Sequence, residues 1–248
     1  MPQVAQLWRH PIKSHGREAL DSVTLTAGQT MPWDRHWAVT HDATKFVAGV
    51  WAACSNFMIG TRTPGLAGLW AALDEATSTV TLRHQSLGTM TFSPDDPAGQ
   101  AAFLAWISPL CPPDRARPVA VVKGPIGMTD TAFPSISIMN TASHQAVVDA
   151  AKVPVEPERW RGNIWLDGFD PWAEHGWIGQ NLTIGPVVLT VREPIGRCLH
   201  TAANPVTGVR DIDTLGTLER GFGHKNFGVY AEVVTGGTIR LGDGARVS

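Results

Sequence analysis

The sequence predicts a mainly β protein with some α+β elements, built as two β-barrel-like units in tandem, and three observations carry that reading. Short runs rich in Val, Thr, Ile and Trp recur along the chain, separated by glycines and prolines, of which there are 25 and 18 in 248 residues. Helical periodicity is confined to a few segments. A polar, proline-rich stretch, Pro112-Pro113-Asp114-Arg115-Ala116-Arg117-Pro118, falls near the middle and reads as a linker. It divides the chain into residues 1–117 and 118–248, each long enough for a core of its own.

In the first unit, strands are expected over 4–8, 19–25, 35–41, 69–73, 79–82 and 89–92, bounded by Gly16, Gly28, Gly65, Gly68 and Gly88. A helix is expected over 97–110, where Phe103, Leu104, Ile107 and Leu110 share a face and Pro112-Pro113 stops it. The second unit opens with strands over 119–122 and 136–139. A helix capped by Asn140 or Thr141 then runs to Ala151. Strands follow over 163–166, 182–191, 227–234 and 238–241, the last two joined as a hairpin at Gly236-Gly237.

Composition narrows the function. A hydrophobic fraction of 43% with 17% charged residues is that of an ordinary globular protein. No stretch approaches the ~20 apolar residues that cross a bilayer, and Met1-Pro2-Gln3-Val4 lacks the pattern of a signal peptide, so a cytoplasmic protein without a membrane role is expected. Cys54, Cys111 and Cys198 are odd in number and unpatterned, which suits a reducing compartment. A formal net charge of -2 offers no global field to nucleic acid, so an anionic ligand must be held by local charges. The ten tryptophans are scattered and read as packing rather than as a base-stacking row.

The chemistry is placed at Cys198, in Glu193-Pro194-Ile195-Gly196-Arg197-Cys198-Leu199-His200-Thr201. The adjacent Arg197 favours the thiolate, the form that ligates metals and attacks sulfur. Gly196 removes a side chain where a ligand would approach. A small buried hydrophobe is the other reading of a lone cysteine after a strand. His200, two residues on in an extended chain, is expected on the opposite face in a structural role. Asp211 and Asp213 look like an acid pair, but a helix cap at Asp213 is the preferred reading. The chain has no G-x-S-x-G, H-E-x-x-H or paired C-x-x-C motif, no G-x-G-x-x-G loop and too few cysteines for an iron–sulfur cluster.

Four segments carry a family resemblance. They are Leu7-Trp8-Arg9-His10-Pro11-Ile12-Lys13-Ser14, Trp33-Asp34-Arg35-His36-Trp37-Ala38-Val39, Arg161-Gly162-Asn163-Ile164-Trp165-Leu166-Asp167-Gly168, and the Arg197-Cys198 stretch with Asn204-Pro205-Val206-Thr207-Gly208 and Phe227-Gly228-Val229-Tyr230 behind it. In order and spacing the chain resembles the MOSC domain family, the molybdenum cofactor sulfurase C-terminal domain, preceded by a MOSC N-terminal β-barrel domain. Its members include the mitochondrial amidoxime-reducing component and bacterial relatives.

The resemblance implies a pterin-dithiolene molybdenum cofactor (molybdopterin) in a cleft between the two units. Cys198 would ligate the metal and Arg197 would stabilise the thiolate. Lys13, Ser14, Arg35 and Arg161 would hold the anionic tail, Asn163 the pterin edge, and Asp34 would orient Arg35. It further implies reduction of small N-hydroxylated substrates, amidoximes or hydroxylated bases, with electrons from a separate donor protein of reductase or ferredoxin type. A cofactor or persulfide carrier acting through Cys198 is the alternative, and no pyridoxal phosphate is expected. The apolar segment 46–54 departs from an arginine-containing stretch of many relatives; burial is expected for Cys54, and Ser135 and Ser137 are peripheral candidates.

Overall fold

The computed structural model describes residues 1–248. In the first half the strands are β1 (Gln3–Arg9), β2 (Glu18–Leu20), β3 (Ser22–Leu25), β4 (Trp37–His41), β5 (Trp70–Asp74), β6 (Thr79–His84) and β7 (Gly88–Phe92), followed by helix α1 (Pro97–Ile107). Then come β8 (Pro118–Lys123), β9 (Ile136–Asn140), α2 (Thr141–Ala151), β10 (Ile164–Asp167), β11 (Asn181–Ile184) and β12 (Val187–Gly196). The chain closes with α3 (Thr214–Phe222), β13 (Asn226–Thr235), β14 (Gly237–Arg240) and β15 (Ala245–Val247). The mainly β class is as the sequence predicts, and no helix is long and apolar enough to cross a membrane.

Local sequence explains most elements. β6 alternates, with Val80, Leu82 and His84 inward, as a half-buried strand should. β4 and β9 are buried at every position, because both of their faces are covered. α1 begins where Asp96 accepts from the Gly99 amide and Pro97 takes the first helical position. It places Phe103 flat on Phe92, ring centroids 4.4 Å apart. α2 is capped by Asn140, which accepts from the Ala142 amide.

Tertiary pairing departs from the expected local pattern at several points. The large sheet has the order β15-β11-β12-β13-β9-β10-β1-β2, so β1 from the first half pairs antiparallel with β10. β8, just after the proline-rich stretch, pairs with β4. The hairpin expected at Gly236-Gly237 does not form: β13 lies between β12 and β9, while β14 leaves the sheet to pair with β3. A Cβ at Gly236 would sit 2.6 Å from the Leu25 carbonyl, so glycine there serves the close approach to β3 rather than a turn. The run 19–25 breaks into β2 and β3, which pair with different partners. The run 182–191 folds back on itself at Gly185-Pro186. Arg35 and His36 precede β4 instead of opening it, and Arg35 has φ 49°.

Two large cores result. One of 20 buried residues underlies the long sheet and includes Val4 and Leu7 of β1; the other, of 13, joins Trp37, Leu82, Phe92 and Phe103 of the first half. The buried Arg17 guanidinium links chain segments far apart in sequence by donating to the carbonyls of Ala67, Leu69 and Pro205.

Candidate functional site

β12 ends at Gly196, and Cys198 caps a 3-10 turn over Leu199–Ala202. Its thiol is exposed, and the Thr61 hydroxyl donates to Sγ at 3.1 Å. That exposure removes the buried-hydrophobe reading. The thiol opens into a cavity of about 260 Å³ whose wall holds the cations Lys13, Arg35, Arg159, Arg161 and Arg197 against one carboxylate, Asp130.

Those cations differ in what already occupies them. Arg35 is fixed from behind by Asp34, itself 1% exposed, which also accepts from the His10 amide at 2.8 Å. Burial pushes the Asp34 carboxyl up, but the Arg35 charge and the hydrogen bonds it receives outweigh that and hold it well below the usual range. Arg35 also donates to the Arg161 carbonyl at 2.8 Å. Arg159 is spent on Glu156 and Asp211, at 2.6 and 2.8 Å. Asp211 is therefore a partner of Arg159, while Asp213 caps α3 by accepting from the Gly216 amide.

Arg161 and Arg197 have no carboxylate partner. Arg161 adopts φ 51° and donates to the Gly16 carbonyl at 3.1 Å. Burial, and then the charges of Arg35 and Arg17, push its pKa down to about 9. Arg197 donates to the carbonyls of Phe227 and Trp160, both at 2.8 Å, and lies over the rings of those two residues. Burial pushes it down to about 10. Two desolvated guanidiniums without counter-charge make this cavity a place for an anion, since charge-assisted hydrogen bonds are the strong ones.

Several expected residues take different positions. Lys13 is in the wall, but its ammonium donates to the Met128 carbonyl at 2.8 Å, the Thr129 carbonyl at 3.3 Å and Asp130 at 2.5 Å. All three of its protons are engaged, so it anchors residues 128–130. Ser14, at φ 63°, lines the cavity as expected. Asn163 does not. It is 1% exposed, its carbonyl oxygen accepts from the Ser137 hydroxyl at 2.7 Å and from Arg35 at 3.3 Å, and its amide donates to the Trp8 carbonyl. It braces Arg35 and Ser137 from behind the wall. Ser137 borders the cavity, whereas Ser135 accepts from the Thr131 hydroxyl away from it.

His200 corrects a prediction. The 3-10 turn brings it to the same cavity as Cys198, where an extended chain would have turned it away. Its Nδ1 is buried without a partner, and burial followed by the Arg161 charge pushes its pKa down to about 3. Gly60 makes the room, since a Cβ there would lie 1.8 Å from that nitrogen. Cys54 corrects another: it is exposed and in the cavity wall. Thr61, Asp130 and Arg159 were not singled out in the sequence, where nothing local distinguishes them; Tyr230, quoted there only as part of a family segment, also lines the cavity.

No group of three or more His, Cys, Asp or Glu forms a metal site. A metal here would have Cys198 as its protein ligand and must bring the rest of its donors with it. A sulfur-rich anionic chelate fits that arrangement: soft thiolate on one side, uncompensated guanidiniums on the other.

Two family models match the chain: the MOSC N-terminal beta barrel domain over residues 1–103 and the MOSC domain over residues 131–246. A stretch of 83 residues, 33% of the chain, is 35% identical to the molybdenum cofactor sulfurase of Anopheles gambiae, and one of 74 residues, 29% of the chain, is 35% identical to molybdenum cofactor sulfurase 2 of Culex quinquefasciatus. Each match spans 10% of the relative's length. Among solved structures, the YUAD protein from Bacillus subtilis superposes over 100% of this chain and 96% of its own, with TM-score 0.47 and 13% identity. YiiM from Geobacillus stearothermophilus matches 46% of this chain and 53% of its own, with TM-score 0.34 and 16% identity.

Proposed function

Because the chain belongs to the MOSC domain family and carries the MOSC N-terminal β-barrel domain ahead of the MOSC domain, we propose that it binds the molybdenum cofactor and reduces N-hydroxylated compounds with electrons from a separate protein. One observation carries the reading: an exposed thiol, Cys198, shares a cavity with two guanidiniums, Arg161 and Arg197, that no carboxylate neutralises. The curated relatives are named as molybdenum cofactor sulfurases, which supports the cofactor class.

The residues divide the work. Cys198 offers the ligating sulfur, and the Thr61 hydroxyl donates to it and holds it at the cavity wall. Arg161, Arg35 and Ser14 would hold an anionic tail, with Asp34 and Asn163 holding Arg35 in register. When bound, the cofactor supplies two-electron oxygen-transfer chemistry at the metal. Arg197 keeps positive charge close to the thiolate while its backbone bonds fix its place.

A sulfur carrier working through Cys198 is the second reading, favoured by the accessibility of that thiol. One preparation separates the two. The protein is purified from a host that makes the cofactor, metal per chain and intact mass are measured, and benzamidoxime is offered with reduced methyl viologen. Stoichiometric molybdenum with turnover supports the reductase. Added sulfur mass without metal or turnover supports the carrier and rejects the reductase.

A further inference from the structure

Beside the thiol lies a second hollow, and it is basic. A groove of about 410 Å³ includes Thr61, Arg62, Asp114, Arg115, Leu199 and Arg210 in its lining. It meets the first cavity at Thr61, which lines both and donates to Cys198 Sγ. Leu199 is the next residue after Cys198, and Arg210 donates to the Thr61 carbonyl at 2.5 Å.

Arg62, Arg115 and Arg210 are all exposed. Asp114 is the one carboxylate in the groove lining, 3.7 Å from Arg115. Such a concentration stands out on a chain whose net charge is -2. Leu199 in the lining is 46% exposed, and Val209, the chain neighbour of Arg210, is 62% exposed. The loops that supply these residues pack on one another: a Cβ at Gly208 would meet the Gly65 backbone at 2.6 Å, and one at Gly65 would meet Leu110 at 3.3 Å. Three segments distant in sequence thus form one basic face with apolar points, next to Cys198.

We propose that this face docks a small acidic electron-transfer protein and is the entry point for electrons to the cavity. The proposal rests on the reductase reading above. Complementary charge steers such partners and sets their salt dependence, while a few apolar contacts hold them. The groove lining contains no aromatic side chain, so it lacks the stacking platform that a single-stranded nucleic acid would use. The step balances: benzamidoxime takes two electrons and two protons to give benzamidine and water, while two one-electron donors are oxidised.

The test compares the wild-type holoprotein with the double variant Arg62→Glu, Arg115→Glu, using reduced methyl viologen or a reduced plant-type ferredoxin as donor. The expected result is unchanged viologen turnover and a KM for ferredoxin raised about tenfold at low ionic strength, the two proteins converging as salt screens the charges. Equal ferredoxin KM values in wild type and variant would overturn the docking face. So would viologen turnover in a wild type that ferredoxin cannot drive, or a charge-sensitive affinity for an oligonucleotide with no change in ferredoxin KM. Absence of viologen turnover in the wild type is a different failure, that of the reductase reading, and it removes the docking proposal with it.

Discussion

Arg161 and Arg35 present the same group to the cavity but are held differently, and substitution separates their roles. Arg161→Ala strands no carboxylate, because none pairs with it. It removes charge-assisted hydrogen bonds of about 1.5 to 3 kcal/mol each, so cofactor loss on dilution should accelerate at least about tenfold with little change in melting temperature. Arg35→Ala leaves the buried Asp34 carboxyl without its guanidinium. It should lower both cofactor retention and stability, and retention equal to wild type would assign Arg35 to packing alone. Cys198, Ser14, Arg35 and Arg161, far apart in the sequence, line one cavity. Asn163 and Lys13 do not act as free ligands, because their hydrogen-bonding capacity is consumed by Ser137, Arg35 and Trp8 in one case and by residues 128–130 in the other. Those partners lie far along the chain, where spacing carries no information about them.

Two elements have separable roles. Asp213 accepts from the Gly216 amide at the start of α3, and Asp213→Ala should cost about 1 kcal/mol, read as a lower denaturation midpoint with metal binding intact. Lys13→Met should release the backbone at Met128 and Thr129, raising amide exchange through 128–130 before it affects the rest of the fold. Unchanged exchange there would mean that the ammonium is not the anchor. At this scale, elements with a strong local signal were legible. A β-rich run between turn residues marked β6, and the shared apolar face of Phe103, Leu104 and Ile107 marked α1. The partner of β14 is β3, some two hundred residues earlier, so Gly236-Gly237 looked like a hairpin when only its neighbours were considered. Likewise, His200 changed face because a 3-10 turn replaced an extended chain.

For the whole molecule, buried histidines set the acid limit. Burial lowers His15 to about 4, and burial with the charges of Arg161 and Arg35 holds His10 well below its ordinary value. Both stay neutral in the folded protein while the unfolded chain takes up protons near pH 6.5, so their contribution is complete above that pH and is lost as pH falls toward 4. For His15 the loss should be about 2 kcal/mol by pH 5, and His10 adds to it in the same direction. Burial raises the Glu174 pKa, which acts with the opposite sign, but burial also lowers His144 to about 4 and His200 to about 3, which act with His10 and His15. Denaturation midpoints should therefore fall steadily between pH 6.5 and 5, and a flat profile would show that these imidazoles gain protons without unfolding. The two halves exchange strands, β1 into the long sheet and β8 onto β4, so this loss should be a single transition.

The account depends most on the sulfur of Cys198 reaching a metal. X-ray absorption at the molybdenum edge, on wild type and Cys198→Ala loaded in the same host, tests it directly. The prediction is one fewer sulfur neighbour per metal in the variant, together with lost turnover and most of the metal gone. An unchanged sulfur shell with full metal content would contradict it.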